Sequence, residues 1–284
     1  MGISKWLRNN TSSLQGKTVA ISGSTGGIGK ELCRYLLKLE ASLVLIDRNR
    51  EKSDALKKEL EKDFANAKIS QIQADLGDIV SVKRACDKLE KEPIYALILN
   101  AGAYSVPRYK CSTGFDNVFQ INFLAPYYMA RRLAEKAKII AVGSIAHNYS
   151  RTDKNDVDFS TRKKASLVYG NAKRYLMYSI SDISQNVAVT HPGITLTGIT
   201  DHYPKVIYAI IKNPMKVIFM KPKKACLSIL YGLFCETEKG TWIGPRLFDI
   251  WGYPKKKRLN TAKKEEVEYI IKIARELYEK IDEI

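Results

Sequence analysis

Cysteine is scarce in this chain of 284 residues, and its five copies are scattered: Cys33, Cys86, Cys111, Cys226 and Cys235. No Cys-x-x-Cys pair and no His/Cys cluster is present, which argues against a zinc site and against a disulfide framework. No metal site is therefore predicted. A reducing, intracellular setting fits this cysteine usage, so a cytoplasmic protein is expected.

Long apolar runs are also missing. The first ten residues, "MGISKWLRNN", lack the apolar core of a signal peptide, and no run approaches the ~18 apolar residues of a spanning helix. The overall hydrophobic content of 45% is nevertheless that of a globular chain with a real core.

Negative charge is the third scarcity, because 47 Lys and Arg residues face only 30 Asp and Glu residues, a net charge of +17. Such an excess is compatible with nucleic-acid binding. The lysines, however, alternate with glutamates, as in "EKSDALKKELEKD", which is typical of the solvated face of a helix. No nucleic-acid partner is expected, and the diffuse positive field also suits an anionic cofactor or an anionic membrane surface.

Short apolar, β-branched runs alternate with longer amphipathic segments through the first two thirds of the chain. The predicted strands are 17–22, 42–47, 68–75, 95–100, 138–144 and 186–192. The predicted helices are 27–40, 51–64, 78–90, 114–136 and 164–185. This alternation predicts βαβ units, and hence an α/β domain with a Rossmann-type, doubly wound parallel sheet.

Two further segments look appended to this domain. Residues 200–222 are apolar with lysines and three prolines, and 261–284 carry apolar residues at helical spacing. We expect residues 1–260 to form one domain that includes 200–222, followed by an amphipathic C-terminal helix over 261–284. That helix would either pack on the domain's surface or form a dimer contact.

A glycine-rich loop follows the first predicted strand and opens the first helix of the βαβ region. Its sequence, "ISGSTGGIGK", places Gly23, Gly27 and Gly29 in the spacing G-x-x-x-G-x-G. Glycines allow the tight turn and the close approach of a pyrophosphate, which the positive end of the helix then faces. This context predicts a dinucleotide-binding site.

Asp47 ends the second predicted strand, about 20 residues beyond the loop, where a carboxylate can bind the adenosine ribose hydroxyls. A carboxylate there repels a 2′-phosphate, so NAD is the preferred cofactor. The next residue, Arg48, could instead hold that phosphate and favour NADP. Asp75, Asn100 and Ser144 end later strands, and the carboxyl ends of parallel strands border one ligand-binding crevice.

These residues, in this order, resemble the short-chain dehydrogenases/reductases, in the single-domain branch and with features of its retinol-dehydrogenase-like members. The matching motifs span residues 16–200 and read "SGSTGGIG", "ADL", "NAG", "QINFLAP", "VGSIAH" and "HPGITLT". The resemblance implies an NAD(P)-dependent oxidoreductase that transfers a hydride between the nicotinamide and a secondary alcohol or ketone. The cofactor-binding residues that it implies are Gly23, Ser24, Thr25, Gly27, Ile28, Gly29, Asp47, Arg48, Asp75, Leu76, Asn100, Ala101, Gly102, Tyr169, Lys173, Pro192, Gly193 and Thr197.

A Tyr-x-x-x-Lys pattern resembling the family's active site occurs three times in the sequence. The three pairs are Tyr169/Lys173, Tyr208/Lys212 and Tyr253/Lys257. Only Tyr169 follows a strand-end serine and precedes a Pro-Gly strand end, so the first pair is predicted to carry the chemistry.

The same resemblance implies four catalytic residues. Tyr169 would be the general acid/base, and Lys173 would lower its pKa with the help of the oxidised nicotinamide while holding the nicotinamide ribose. Ser144 would bind the substrate oxygen, and Asn122 would hold a water in a proton relay. Each also has a structural reading: Ser144 as a helix N-cap, Asn122 as a backbone anchor and Tyr169 as a core aromatic.

The apolar segment 203–222 would form the substrate lid, which suggests a steroid-, retinoid- or lipid-like substrate. It could equally pack down as a plain cover, or touch a membrane surface as a peripheral contact. The resemblance further implies a homodimer or homotetramer. His147 and His191 are expected to be structural, whereas the role of His202 is open. The alternatives to an enzyme are a catalytically silent NAD(P)-binding sensor or scaffold and, more remotely, a nucleic-acid-binding protein.

Overall fold

The computed structural model describes residues 2–195 and 219–283 of the chain. Eight strands lie within these ranges. They are β1 (Thr18–Ser22), β2 (Ser42–Asp47), β3 (Ile69–Gln73), β4 (Ile94–Leu99), β5 (Lys138–Val142), β6 (Val187–Thr190), β7 (Thr241–Leu247) and β8 (Trp251–Arg258). All six predicted strands are confirmed, while β7 and β8 were not predicted.

The strands form one sheet in the order β3-β2-β1-β4-β5-β6-β7-β8. The first seven run parallel, and β8 returns antiparallel to β7 at the edge. The order reverses between β1 and β4, which confirms the predicted doubly wound sheet. In such a sheet the ligand crevice lies outside the carboxyl ends of the strands at this reversal.

Helices cover both faces of the sheet. The described helices are α1 (Ile3–Asn10), α2 (Gly27–Lys38), α3 (Arg50–Asp63), α4 (Ile79–Leu89), α5 (Asn117–Phe119), α6 (Ala125–Leu133), α7 (Ala165–Ile183), α8 (Pro222–Phe234) and α9 (Lys264–Asp282). A π-helical turn, Gln120–Leu124, joins α5 to α6, and a 3₁₀ turn spans Ile145–Tyr149. The predicted helix over 114–136 is thus one interrupted helix, and the C-terminal helix is confirmed.

Two apolar cores lie on opposite faces of the sheet, because successive side chains of a strand point to opposite sides. Ala20 of β1 belongs to the core under α4, α6, α7 and α9, whereas Val19 and Ile21 belong to the core under α1, α2, α3 and α8. Strands buried on both faces read as continuous apolar runs rather than alternating ones, which explains the sequence pattern.

The short α1 is fixed by one aromatic side chain. Trp6 is buried, packs edge-on against Tyr231 of α8 and stacks on Tyr253 of β8, with ring centroids 6.1 and 6.4 Å apart. Tyr253 therefore serves the fold rather than catalysis. Its sequence partner Lys257 lies four residues along an extended strand, roughly 13 Å away, and donates to Asp249 at 2.8 Å.

The C-terminal helix α9 docks on α7 through a buried ion pair. Arg174 has no exposed surface, and its guanidinium donates to both carboxylate oxygens of Glu266, at 2.7 and 2.6 Å. The same guanidinium donates to the carbonyls of His147 and Thr261, at 3.0 and 3.2 Å. This side of α9 therefore packs on the surface of its own domain, which is the first of the two arrangements expected for this helix.

Across residues 2–195 and 219–283, no helix has both the length and the apolar character that a membrane crossing requires.

Replacing Glu266 by glutamine leaves the Arg174 charge buried without a counter-ion, so Glu266→Gln is expected to cost about 3 kcal/mol of unfolding free energy. Urea-unfolding midpoints measure this cost. The matched control is Glu276→Gln, which removes an exposed pair with Lys272 at 3.8 Å and is expected to change stability by less than about 0.5 kcal/mol. Equal, small effects of both changes would contradict the anchoring role of Arg174.

Candidate functional site

The glycine loop lies between β1 and α2 and approaches the end of β4 closely. Gly23 has φ +68°, and a Cβ there would lie 2.8 Å from Cα of Ala101. A Cβ at Gly29 would overlap the carbonyl oxygen of Gly23 and lie 2.8 Å from Cα of Ser24. Both positions therefore require glycine, whereas Gly26 has an ordinary φ and its nearest neighbour would be 3.5 Å away.

The loop presents backbone, rather than side chains, to the crevice. Gly26 and Gly27 are exposed where α2 begins, whereas Ser24 is fully buried. The first N–H groups and the positive end of a helix favour an anion at such a position. The geometry fits the pyrophosphate of a dinucleotide.

Asn100 holds this loop against the end of β4. Its side-chain amide donates to the carbonyls of Ser22 and Gly23, at 3.1 and 3.0 Å. The Ser22 hydroxyl in turn accepts from the N–H of Ala101 at 3.1 Å. The asparagine predicted to touch cofactor thus braces the loop through its side chain.

Asp47 turns its carboxylate into the protein. It is 5% exposed and accepts from the Ser24 hydroxyl and from the Ser53 hydroxyl at 3.1 Å. It also accepts from the N–H and hydroxyl of Thr25, at 3.2 and 3.3 Å. The adjacent Arg48 is exposed. At the strand end expected to bind the adenosine ribose, the Arg48 side chain is therefore exposed to solvent. The Asp47 carboxylate is hydrogen-bonded to the glycine loop instead.

The third strand end forms the next wall of the crevice. Asp75 is partly buried, and its carboxylate accepts from the N–H of Gly77 at 2.9 Å. Leu76 is buried, and its carbonyl accepts from the Gln120 side chain at 3.3 Å.

The π-helical turn places Asn122 beside the strand-four motif. Asn122 is fully buried, and its amide donates to the carbonyls of Ala103 and Val118, at 2.8 and 2.9 Å. Its side-chain oxygen accepts from the N–H of Ala103 at 3.2 Å. A Cβ on Gly102 would lie 2.8 Å from that oxygen and 3.7 Å from Nζ of Lys173, so these three residues adjoin. The side chain of Asn122 thus acts as a backbone anchor.

Ser144 follows β5 and caps the 3₁₀ turn, since its hydroxyl accepts from the N–H of Ala146 at 3.2 Å. Tyr169 lies one turn into α7, half-buried, with Tyr104 packed edge-on against it at 5.3 Å between ring centroids. Burial raises the pKa of Tyr169 to about 12, and interaction with the Ser144 hydroxyl opposes that rise only in part. The lowering of this pKa expected from Lys173 is not seen among the described residues.

Lys173 lies one helical turn beyond Tyr169 and is 2% exposed. Its ammonium donates to the carbonyl of Val142 at 2.8 Å and lies 5.6 Å from the centroid of the Tyr169 ring. Burial lowers the pKa of Lys173 to about 8. Its positive form therefore predominates at neutral pH and is lost as the pH rises through about 8.

A hydrogen-bonded chain behind Ser144 was not predicted from the sequence. His147 Nδ1 lies 2.6 Å from the Ser144 carbonyl, and Nε2 lies 2.8 Å from the Thr261 hydroxyl. A carbonyl only accepts hydrogen bonds, so Nδ1 of His147 carries the proton and Nε2 accepts from the Thr261 hydroxyl. The Thr261 hydroxyl is also hydrogen-bonded to the Tyr178 hydroxyl at 2.8 Å. Burial lowers the pKa of His147 to about 4, which keeps the ring neutral.

The sixth strand end completes the crevice. Gly193, after Pro192, has φ +82°, and a Cβ there would lie 2.7 Å from the carbonyl oxygen of Ile250. His191 is buried and stacks on Trp242 with ring centroids 5.6 Å apart. Both histidines expected to be structural thus lie in packed surroundings.

The structure brings the four predicted catalytic residues and the described cofactor residues to one edge of the sheet. Four sequence predictions lie outside the described residues: those for Thr197, for His202, for the Tyr208/Lys212 pair and for most of the lid at 203–222.

The chain belongs to the short-chain dehydrogenase family, whose sequence model matches residues 17–204. Among its relatives, Retinol dehydrogenase 12 of Mus musculus is 29% identical over 202 residues, which cover 66% of this chain and 64% of the relative. Retinol dehydrogenase 13 of Homo sapiens is 27% identical over 66% of this chain and 62% of its own length. The chain thus spans less than two thirds of these two relatives.

Solved structures share the fold. An uncharacterized protein from Mycobacterium Paratuberculosis superimposes with a TM-score of 0.74 at 20% identity, covering 96% of both chains. The NADPH-dependent 3-quinuclidinone reductase from Rhodotorula Rubra gives a TM-score of 0.60 at 20% identity, covering 78% of this chain and 86% of that one.

Gly29→Ala is expected to weaken dinucleotide binding at least about tenfold, because the added methyl displaces the loop that faces the pyrophosphate. Gly26→Ala, in the same loop, controls for stability alone: its methyl meets only an ordinary contact within the protein, so it is expected to fold as stably as the parent. Titration of protein fluorescence with NADPH and NADH measures the affinities. Unchanged affinity in Gly29→Ala would refute this placement of the cofactor.

Proposed function

We propose that the protein is an NAD(P)-dependent oxidoreductase acting on an alcohol or its carbonyl counterpart. The observation that carries the proposal is the meeting of Ser144, Tyr169 and Lys173 at the edge of the sheet that holds the glycine loop. The nicotinamide, when bound, supplies the hydride donor or acceptor. The residues of the chain bind it and manage the proton.

Tyr169 would exchange a proton with the substrate oxygen, and Ser144 would hydrogen-bond that oxygen as charge develops. With a pKa of about 12, Tyr169 is a protonated phenol at neutral pH. It therefore carries the proton that reduction would deliver to a carbonyl oxygen, but so high a pKa makes the phenol a weak acid. The ammonium of Lys173 would hold the nicotinamide ribose and favour the phenolate that remains, and the anchored Asn122 would keep residues 100–103 in place.

Tyr169→Phe removes the exchangeable proton while keeping the ring, so kcat is expected to fall by about 10²–10⁴ with cofactor affinity changed less than about twofold. Tyr104→Phe is the matched control, because its ring packs edge-on against Tyr169; it is expected to retain most activity.

Absorbance of reduced nicotinamide, followed across a panel of hydroxysteroids and aliphatic secondary alcohols and their ketones, measures both variants. Full turnover by Tyr169→Phe would rule out the mechanism. Cofactor binding without turnover of any substrate by the parent protein would favour the sensor or scaffold alternative.

For the cofactor we propose NADP rather than the NAD expected from Asp47. Support comes from the inward-facing carboxylate of Asp47, which is engaged by Ser24, Thr25 and Ser53. The exposed guanidinium of Arg48 suits a 2′-phosphate, which it can bind with two parallel hydrogen bonds. The reductase from Rhodotorula Rubra, which shares the fold, is described as NADPH-dependent.

Arg48→Ala is expected to weaken NADPH about tenfold, the loss of one charge-assisted contact, and to change NADH affinity less than about twofold. The matched control is Arg50→Ala, which removes a nearby exposed arginine paired with Asp54 at 3.1 Å. Dissociation constants of the parent and both variants for NADH and for NADPH test the cofactor assignment. Equal losses for NADH and NADPH, or parent protein that binds NADH more tightly, would restore the NAD assignment.

For the substrate we propose an apolar, steroid-, retinoid- or lipid-like alcohol. The apolar sequence of 203–222 supports this class of substrate. Relatives named for retinol and for polyprenol support it as well. The second is Polyprenol dehydrogenase of Homo sapiens, which is 22% identical over 84% of this chain. We also propose a homodimer or homotetramer, a cytoplasmic location and a peripheral membrane contact through 203–222.

A further inference from the structure

The turn between β7 and β8 exposes a cluster of large apolar side chains, here called the hairpin tip: Leu247, Phe248 and Trp251. Phe248 is 83% exposed, Leu247 is 54% exposed and Trp251 is 36% exposed. Leu247 and Trp251 are cross-strand partners, so the three residues are contiguous. Among the described residues only three other large apolar side chains are exposed, and they are scattered along the chain.

One residue of the tip has an unfavourable backbone conformation. Phe248 has φ 53°, which a bulky side chain rarely adopts, whereas Asp249, with φ 57°, is a residue type common at positive φ. The carboxylate of Asp249 accepts from Trp242 Nε1 at 3.3 Å and from Lys257 Nζ at 2.8 Å, which holds the turn. A strained turn that holds an aromatic ring out in solvent is evidence for a function of that ring.

The hairpin tip lies at the carboxyl end of β7, the same edge of the sheet as the candidate site. Gly193, in the predicted cofactor-binding Pro-Gly element, adjoins both the Ile250 carbonyl and the Met220 side chain. The tip therefore borders the crevice rather than the opposite edge of the sheet.

Basic residues lie along the hairpin and beside it. Arg246 and Lys255 lie on the hairpin itself and are exposed. Lys221 follows Met220, whose side chain adjoins Gly193. The ammonium of Lys224 lies over the Tyr253 ring, 5.1 Å from its centroid. The start of α8 therefore adds cations beside β8. The nearby Asp249 is paired with Lys257.

We propose that the hairpin tip docks on an anionic lipid bilayer. Exposed aromatic and aliphatic side chains insert at the level of the headgroups, and flanking Lys and Arg residues attract anionic lipids. A second copy of the chain docked on the tip would bring its own basic residues against those of the first copy. Each copy carries a net charge of +17. Like charges oppose that pairing, whereas the negative charge of an anionic bilayer complements the basic residues.

Docking would place the crevice mouth at the lipid surface, where an apolar alcohol could enter without crossing water. Only this delivery role depends on the proposed function. The docking itself is tested without cofactor or substrate, so the two proposals can fail separately.

The test is co-sedimentation of the full chain with vesicles of phosphatidylcholine alone and with about 30 mol% phosphatidylserine, at about 0.1 M NaCl. Binding is expected with the anionic vesicles and is expected to weaken in higher salt. Trp6 and Trp242 are 3% and 5% exposed, so Trp251 dominates any change in tryptophan emission. A blue shift on binding is expected, and Trp251→Phe is expected to remove the shift while binding persists.

The double change Leu247→Ser, Phe248→Ser is expected to weaken binding to anionic vesicles at least about tenfold, because it removes two inserting side chains. Val80→Ser is the matched control, since it removes an exposed apolar residue, 41% exposed, on α4; it is expected to bind like the parent.

Three outcomes would overturn the proposal: no sedimentation with the anionic vesicles at about 0.1 M NaCl, sedimentation without the emission shift, or equal binding by the double variant and the parent. Self-association of the parent, lost in the double variant, would assign the tip to a second copy instead. Turnover of a water-soluble alcohol, measured separately, is expected to be unchanged in the double variant if the proposed reaction is correct.

Discussion

A single buried guanidinium, that of Arg174, joins separate parts of the second half of the molecule. It follows Lys173 on α7 and binds three separate parts of the chain: Glu266 at the start of α9, the carbonyl of Thr261 and the carbonyl of His147 in the turn after Ser144. A buried arginine is tolerated only when its donors are satisfied. Helix α7, the turn after Ser144 and the start of α9 are therefore held to one another by this side chain.

That assembly explains why Ser144 has a defined position although it lies in a turn. Its carbonyl accepts from His147, whose ring is held by Thr261, and Thr261 is held in turn by Tyr178 and Arg174. Thr261 is more than one hundred residues away in sequence, so no local pattern could have revealed it. The residues that touch the crevice were predictable from motifs, whereas those that hold the motifs in place were not.

The same contrast applies to the fold. Five of the six predicted strands, β1, β2, β4, β5 and β6, are inner strands, and burial on both faces leaves each of them an unbroken apolar run. The sixth, β3, lies at an edge of the sheet and is only partly buried. β8, "WGYPKKKR", carries glycine, proline and a run of cations, a composition typical of the edge that it occupies. β7, "TWIGPRL", pairs with a strand on each side, but its glycine and proline interrupt the apolar run that marks an inner strand. The direction of the Asp47 carboxylate was likewise hidden, because it depends on Ser53 in the next helix as well as on the glycine loop.

The unpredicted β7 also connects the hairpin tip to the candidate site. Trp242 of β7 lies between two histidine rings, stacked on His191 at 5.6 Å and edge-on to His147 at 5.7 Å, and its Nε1 donates to Asp249 in the turn. His147 bonds the Ser144 carbonyl directly. The tip and Ser144 are therefore linked by contiguous packed and hydrogen-bonded residues, namely Asp249, Trp242 and His147.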